Sequence, residues 1–105
     1  MHKRQGVVLI MYDLPVKTGL NRKESEKFRK YLLCHGYVFV QKSIYVKLVR
    51  NRATILQEIS LVREEAPKEG TVNILPLCLN DFRMMESISE KPFNMSVFAD
   101  DLVFV

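Results

Sequence analysis

The sequence predicts an α+β domain in which helices cover one face of an antiparallel sheet. Three features support this class: an apolar run over residues 7–12, two amphipathic stretches at helical spacing, and alternating apolar runs around them. In chain order these segments give strand, helix, strand, strand, helix, strand. This order is the ferredoxin-like βαββαβ plan, in which the strands lie 4-1-3-2 across the sheet. The 105 residues are enough for one such domain.

The first strand, residues 7–13, is expected at the centre of the sheet. It begins with six consecutive apolar or aromatic residues, and Pro15 ends it because proline cannot continue a ladder. Both of its faces are apolar, whereas helices are expected on only one face of the sheet. Leu9 and Met11 should therefore belong to an uncovered apolar patch. We expect a second copy to bury this patch, which predicts a homodimer through the sheet face.

A helix and a hairpin follow the first strand. Asn21 and Glu24 resemble a capping box at the start of the helix, and Gly36 marks its end. The hairpin spans residues 37–50, and its side chains alternate between two faces. We expect its aliphatic residues to pack on the helices. The residues expected on the open face are Tyr37, Phe39 and Tyr45.

The second helix should begin at Asn51 and end at Pro67. Its predicted buried stripe consists of Ile55, Leu56, Ile59, Val62 and Ala66. The fourth strand, residues 72–79, contains Pro76 and is therefore expected at an edge of the sheet.

Residues 1–80 form the predicted core, and residues 81–105 form a C-terminal extension. A short helical turn is expected near residues 80–83, and a fifth strand over residues 84–89. Residues 100–105 resemble a terminal strand that needs an edge to pair with. We expect it to dock on the second protomer or on a third protein through Leu102, Val103 and Phe104.

The charge is strongly divided along the chain. Residues 1–52 contain twelve Lys and Arg against three Asp and Glu, whereas residues 53–105 contain four against nine. This division suggests a nucleic-acid face and a separate protein-docking face, although surface charge also simply keeps a small domain in solution. The spread of the Lys and Arg residues over the first helix and the hairpin favours sequence-tolerant contacts to a phosphate backbone. The candidate nucleic-acid-binding residues are Lys17, Arg22, Lys23, Lys27, Arg29, Lys30, Lys42, Lys47, Arg50 and Arg52.

Other signals narrow the class of protein. The sequence has no run long enough for a transmembrane helix, and no small-residue cleavage site follows the first apolar run. Cys34 and Cys78 are unclustered, which suggests free thiols in a reducing cytoplasm. No P-loop, nucleophile elbow or dinucleotide fingerprint is present. His35, beside Gly36, is expected to be a helix cap or a solvent-facing residue rather than a catalyst.

Asp13 is the candidate catalytic and metal-binding residue. In the simpler interpretation its carboxylate accepts backbone N–H groups in a turn that leads into Pro15. In the functional interpretation, a two-fold axis near the first strands brings two Asp13 residues together around one Mg²⁺. Magnesium often uses one or two carboxylates and completes its shell with water and phosphate. The sequence therefore permits at most a sparse magnesium site.

A different class is a single-stranded RNA-binding module of the same βαββαβ plan. Tyr37, Phe39 and Tyr45 would then form a stacking platform on the open face. The glycine-aromatic signature of the third strand of that fold is missing from residues 43–49. A dry, dimeric open face is therefore the preferred interpretation.

Four segments in register, residues 9–15, 28–37, 41–45 and 71–77, resemble the small ferredoxin-like protein of CRISPR spacer acquisition. This family is the non-integrase subunit of the adaptation complex, and the spacing resembles its type II branch. The resemblance implies a homodimer that binds double-stranded prespacer DNA between two dimers of the CRISPR integrase. It also implies a magnesium-dependent endonuclease acting on single-stranded RNA or double-stranded DNA, with Asp13 as metal ligand. A role in antiviral defence follows from the same resemblance.

Overall fold

A computed structural model describes residues 5–88 as a sheet with helices on both of its faces. The elements are β1 (Gly6–Asp13), α1 (Gly19–Cys34), β2 (Val38–Gln41), β3 (Ile44–Val49), α2 (Arg52–Glu65), β4 (Thr71–Cys78) and α3 (Leu79–Arg83). The four strands are antiparallel in the order β2-β3-β1-β4, which confirms the ferredoxin-like plan. Within this described part of the chain, no helix is long and apolar enough to cross a bilayer.

Helix α1 begins earlier than the sequence predicts. Thr18 is the N-cap, and its hydroxyl accepts a 3.0 Å hydrogen bond from the backbone N–H of Asn21. The prediction that Asn21 caps the helix is therefore wrong, because Asn21 already lies inside its first turn. The other end is confirmed: His35 caps α1, and Gly36 follows with a φ of +88°.

Helix α2 begins at its predicted cap, and its predicted buried stripe is confirmed except at Leu56, because Val62 is buried and Ile55, Ile59 and Ala66 are partly buried. The Asn51 side chain accepts 3.0 Å and 3.1 Å hydrogen bonds from the backbone N–H and the hydroxyl of Thr54. Leu56, predicted to be buried, is 64% exposed, whereas Glu58 is only 7% exposed. The buried side runs through Glu58 and Val62, one turn apart, so Leu56 points away from it.

The two faces of the hairpin are the reverse of the prediction. Tyr37 and Tyr45 lie in the helix-side core with Val8, Ile10 and the buried residues of α1. Val46 lies on the opposite face, where Val38, Val40 and Leu48 pack against the same cluster. The expected open-face position of Tyr37, Phe39 and Tyr45 is therefore wrong, and so is the predicted three-ring platform.

The strand register explains this reversal. Ile10 pairs with Tyr45 and Leu9 with Val46, so each residue of β3 shares the face of its partner in β1. Phe39 pairs with Tyr45 and also lies on the helix side, but at the edge strand, where it remains 53% exposed. Alternation defines two sets of side chains, but it cannot decide which set the helices cover.

The opposite face carries an apolar surface that is partly covered. Leu9 and Met11 lie there as predicted, and Met11 and Leu75 are 37% and 44% exposed. Leu79 and Phe82 of α3 pack on Val7 and Val46 at one end, which confirms the predicted helical turn. Residues 84–88 form no strand, contrary to the predicted fifth strand. Leu102, Val103 and Phe104 lie outside the described residues.

Candidate nucleic-acid interface and carboxylate site

Helix α1 presents a basic surface along one side. Its charged residues other than the half-buried Arg29 are exposed and repeat at intervals of three and four, which aligns them on the helix. A shallow groove on this side is lined by Gly19, Arg22, Lys23, Glu26, Lys27 and Lys30. The Arg22 guanidinium also donates a 3.1 Å hydrogen bond to the Val16 carbonyl, which ties the β1–α1 loop to the helix. Such a row of cations favours contact with a phosphate backbone.

Arg29 is held in a fixed orientation beside this surface. Its Nε and Nη2 atoms donate hydrogen bonds of 3.0 Å and 2.6 Å to the two carboxylate oxygens of Glu26. This pairing lowers the pKa of Glu26 and raises that of Arg29. The guanidinium also interacts electrostatically with the nearby Tyr45 side chain. The Arg29 side chain keeps 43% of its surface exposed, so an anion can still reach it.

Two tyrosines lie side by side near Arg29. The rings of Tyr12 and Tyr45 are stacked, with centroids 6.1 Å apart and an interplanar angle of 9°. Tyr12 also contacts Phe28 edge to face at 5.4 Å. Burial, followed by the interaction with the neighbouring Tyr45 side chain, raises the pKa of Tyr12 to about 12. Both observations indicate that Tyr12 is a neutral packing residue near neutral pH.

Lys47 belongs to an ion pair inside the fold. Its Nζ lies 2.9 Å from Oε2 of Glu58, and the Tyr37 hydroxyl donates a 3.0 Å hydrogen bond to Oε1. The same Nζ lies 5.5 Å from the centroid of the Tyr37 ring. Burial and the neighbouring Glu58 carboxylate raise the pKa of Tyr37. Lys47, predicted to bind nucleic acid, thus joins β3 to α2 instead of extending the basic surface of α1.

The remaining predicted cations fall at opposite ends of the sheet. Lys17 is exposed in the loop before α1, and Lys42 is exposed in the turn between β2 and β3. Arg50 and Arg52 follow β3 at its other end, because Ile44 pairs with Met11 whereas Val49 pairs with Gly6. The ten predicted residues therefore do not form one patch. Helix α1 brings together the largest group of them.

Asp13 is exposed at the carboxyl end of β1, where it pairs with Thr71 of β4. It borders an open groove of about 290 Å³ whose polar residues include Lys42, Ser43 and Asn73. Gly70 approaches so closely that a Cβ atom on it would lie 2.6 Å from the Asp13 carbonyl oxygen. Among residues 5–88, no group of three or more His, Cys, Asp or Glu could hold a metal ion. One chain therefore offers one carboxylate and neutral oxygens at this place.

Sequence reasoning missed Glu26 and Glu58, which orient two of the predicted cations. The three-residue spacing of Glu26 and Arg29 indicates a pair on one helix face and was a usable signal. The Glu58–Lys47 pair joins two elements and has no such local spacing. An acidic residue within the apolar stripe of α2 was the only local sign of a buried partner.

Comparison with known proteins identifies a family and several relatives of this chain. Residues 7–85 match the family described as "CRISPR associated protein Cas2". A protein of Streptococcus mutans serotype c (strain NN2025) is 32% identical over 99 residues, which cover 93% of this chain and 92% of that protein. A protein of Treponema denticola is 37% identical over 81 residues, 77% of this chain and 80% of that protein. Both relatives carry the name "CRISPR-associated endoribonuclease Cas2".

Proposed function

The chain belongs to the Cas2 family of CRISPR-associated proteins, and from this membership we propose that it is a DNA-binding adaptor in spacer acquisition. In this proposal two copies form a homodimer that binds double-stranded prespacer DNA. The same dimer positions the CRISPR integrase, which performs the strand transfer. The chain contributes binding and geometry rather than the integration chemistry.

The basic surface of α1 is the observation that carries this proposal. Exposed cations spaced along a rigid helix suit contacts to successive phosphates and carry little base-specific information. A protein that binds DNA of any sequence needs contacts of this kind, because the phosphate backbone is the same in every sequence. The homodimer is supported by the apolar face, where Met11 and Leu75 remain exposed in the single chain. Two copies joined through that face would place one α1 surface on each side of the assembly.

Charge reversal on α1 tests the adaptor function. We expect the double substitution Lys23→Glu and Lys27→Glu to weaken binding of labelled duplex DNA and to abolish integration by the cognate integrase. Lys68→Glu is the matched control, because Lys68 is exposed in the acidic half of the chain. Fluorescence anisotropy and an integration assay provide the two measurements. Unchanged DNA binding by the double variant would refute the α1 interface.

The second candidate function is a magnesium-dependent endonuclease, because the relatives are named endoribonucleases. Asp13 would hold the ion, assisted by water and by oxygens such as those of Thr71 and Asn73. The bound ion would acidify water and neutralise charge on the phosphate. One carboxylate fits only a sparse site, so this candidate requires Asp13 from a second copy. The substrate is single-stranded RNA or double-stranded DNA.

Asp13→Asn separates the two candidates. The adaptor function predicts unchanged DNA binding and integration, because the substitution lies outside the α1 surface. The endonuclease function predicts loss of magnesium-dependent cleavage of RNA or DNA. Cleavage by the variant at the rate of the unmodified protein would exclude Asp13 as the metal ligand. Analytical ultracentrifugation in both proteins verifies that the substitution leaves the oligomeric state unchanged.

A further inference from the structure

Phe39 is an exposed aromatic residue that neither proposed function uses. It lies on edge strand β2 and is 53% exposed, although an aromatic ring of this size is usually buried. Its ring contacts Tyr45 edge to face, with centroids 5.6 Å apart and an interplanar angle of 71°. The ring is thus fixed by a buried neighbour while about half of the residue surface faces solvent.

The same Tyr45 connects Phe39 with the basic surface of α1. The Tyr45 ring contacts Phe39, and its side chain lies near enough to the Arg29 guanidinium to interact with it electrostatically. Glu26 fixes Arg29 from the other side through its 3.0 Å and 2.6 Å hydrogen bonds. One buried tyrosine therefore lies beside both a partly exposed cation and a partly exposed aromatic ring.

We propose that Phe39 and Arg29 form a subsite for one unpaired nucleotide, in which Phe39 stacks on the base and Arg29 binds its phosphate. This inference rests on the proposed DNA-binding function and extends it to the unpaired end of the nucleic acid. A base inside a duplex is stacked on both faces and cannot pack on a protein ring. An unpaired base offers a free face, and stacking on an aromatic side chain is tolerant of sequence.

The subsite lies next to the basic surface of α1, on the side towards the edge of the sheet. Arg29 belongs to the same helix as Lys23, Lys27 and Lys30, whereas Phe39 lies on the strand that α1 packs against. A strand that follows the cations of α1 would thus reach Arg29 and then Phe39 at the sheet edge. The ligand class is a single unpaired nucleotide adjoining a bound duplex, in DNA or in RNA.

A fluorescent base tests this subsite directly. We compare a blunt DNA duplex, the same duplex with a single unpaired 2-aminopurine nucleotide at its end, and an RNA duplex with that overhang. Stacking on Phe39 should quench 2-aminopurine when protein binds the overhang. Phe39→Leu should remove the quenching and lower affinity for the overhang duplex roughly tenfold. Affinity for the blunt duplex should remain unchanged. Comparison of the DNA and RNA duplexes with overhangs shows whether the subsite accepts both nucleic acids.

Two control variants and one stability measurement keep the outcome interpretable. Phe39→Tyr retains a ring and should restore quenching, whereas Leu56→Ala removes another exposed apolar residue, on α2, and should change nothing. Thermal unfolding of Phe39→Leu verifies the fold. Equal quenching and affinity in Phe39→Leu and the unmodified protein would overturn the subsite. Failure of the unmodified protein to bind any duplex would instead overturn the proposed function.

Discussion

The Glu58 carboxylate accepts a 2.9 Å hydrogen bond from the Lys47 ammonium, which joins α2 to the central part of the sheet. Its second oxygen accepts a 3.0 Å hydrogen bond from the Tyr37 hydroxyl, so both carboxylate oxygens have partners although Glu58 is buried. A buried charge is tolerated only with such partners. This pair therefore fixes α2 and the start of β2 relative to β3.

Removal of this carboxylate should destabilise the protein. We expect Glu58→Ala to lower the free energy of unfolding by about 2 to 3 kcal/mol, because Lys47 and Tyr37 lose their partner. Urea denaturation followed by circular dichroism measures this change. Gln57→Ala is the control, since Gln57 is the exposed neighbour on the same helix and should change stability by less than about 0.5 kcal/mol. Equal effects of the two substitutions would contradict a stabilising role for the pair.

Two glycines should respond in opposite directions to the same substitution. Gly70 has a φ of +89°, and an added Cβ would meet the Asp13 carbonyl oxygen at 2.6 Å. Gly70→Ala should therefore cost about 1 to 3 kcal/mol of stability. Gly19 has no atom within 4 Å of that position, so Gly19→Ala should be neutral or stabilising by about 0.5 kcal/mol. Thermal denaturation of the two variants measures this difference in stability. Similar melting temperatures for both variants would refute the prediction.

The salt dependence of DNA binding should distinguish two lysines of equal charge. Lys27 lies on the basic surface of α1, whereas Lys47 is paired with Glu58. Lys27→Met should lower the slope of log affinity against log salt concentration by about one. Lys47→Met should leave this slope unchanged. An equal change in both variants would show that the ion pair opens to bind phosphate.

Stability should decrease in alkaline solution as tyrosines ionise. The pKa of Tyr12 rises from 10.0 to about 12 on folding, because burial disfavours its phenolate. Its contribution is complete below pH 10 and is lost as the pH rises to about 12, since the unfolded chain ionises first. The free energy of unfolding, measured in urea across this range, should decline less steeply in Tyr12→Phe. Parallel curves for the two proteins would contradict this assignment.

The order of elements was predictable, whereas the orientation of the hairpin was not. Apolar runs and helical spacing predict the first six elements, a short helical turn is expected where α3 lies, and Pro76 predicts the edge strand. Tyr37 and Tyr45 were assigned to the wrong face because both sets of alternating side chains are apolar enough to be buried. The decisive facts are tertiary: the Tyr37 hydroxyl has a partner in Glu58, and Tyr45 pairs with the buried Ile10 of β1.

The candidate site was predictable to a similar degree. The position of Asp13 after a buried strand indicates a site, and the basic spacing of α1 predicts a charged helix surface. The sequence does not reveal that Glu58 withdraws Lys47 from that surface, because this pairing depends on tertiary packing. Nor does it distinguish Phe39 from the buried Tyr45, although the two residues pair directly across neighbouring strands.

Pro76 has a consequence for how copies of this protein behave at high concentration. β4 pairs with β1 on one side and, within residues 5–88, with no strand on the other. Proline has no N–H group, so this outer side cannot present an unbroken row of donors to a foreign strand. Sheets of successive molecules are thus hindered from joining edge to edge into fibres. The missing N–H group of Pro76 thus protects the protein from aggregation although the outer edge of β4 stays uncovered.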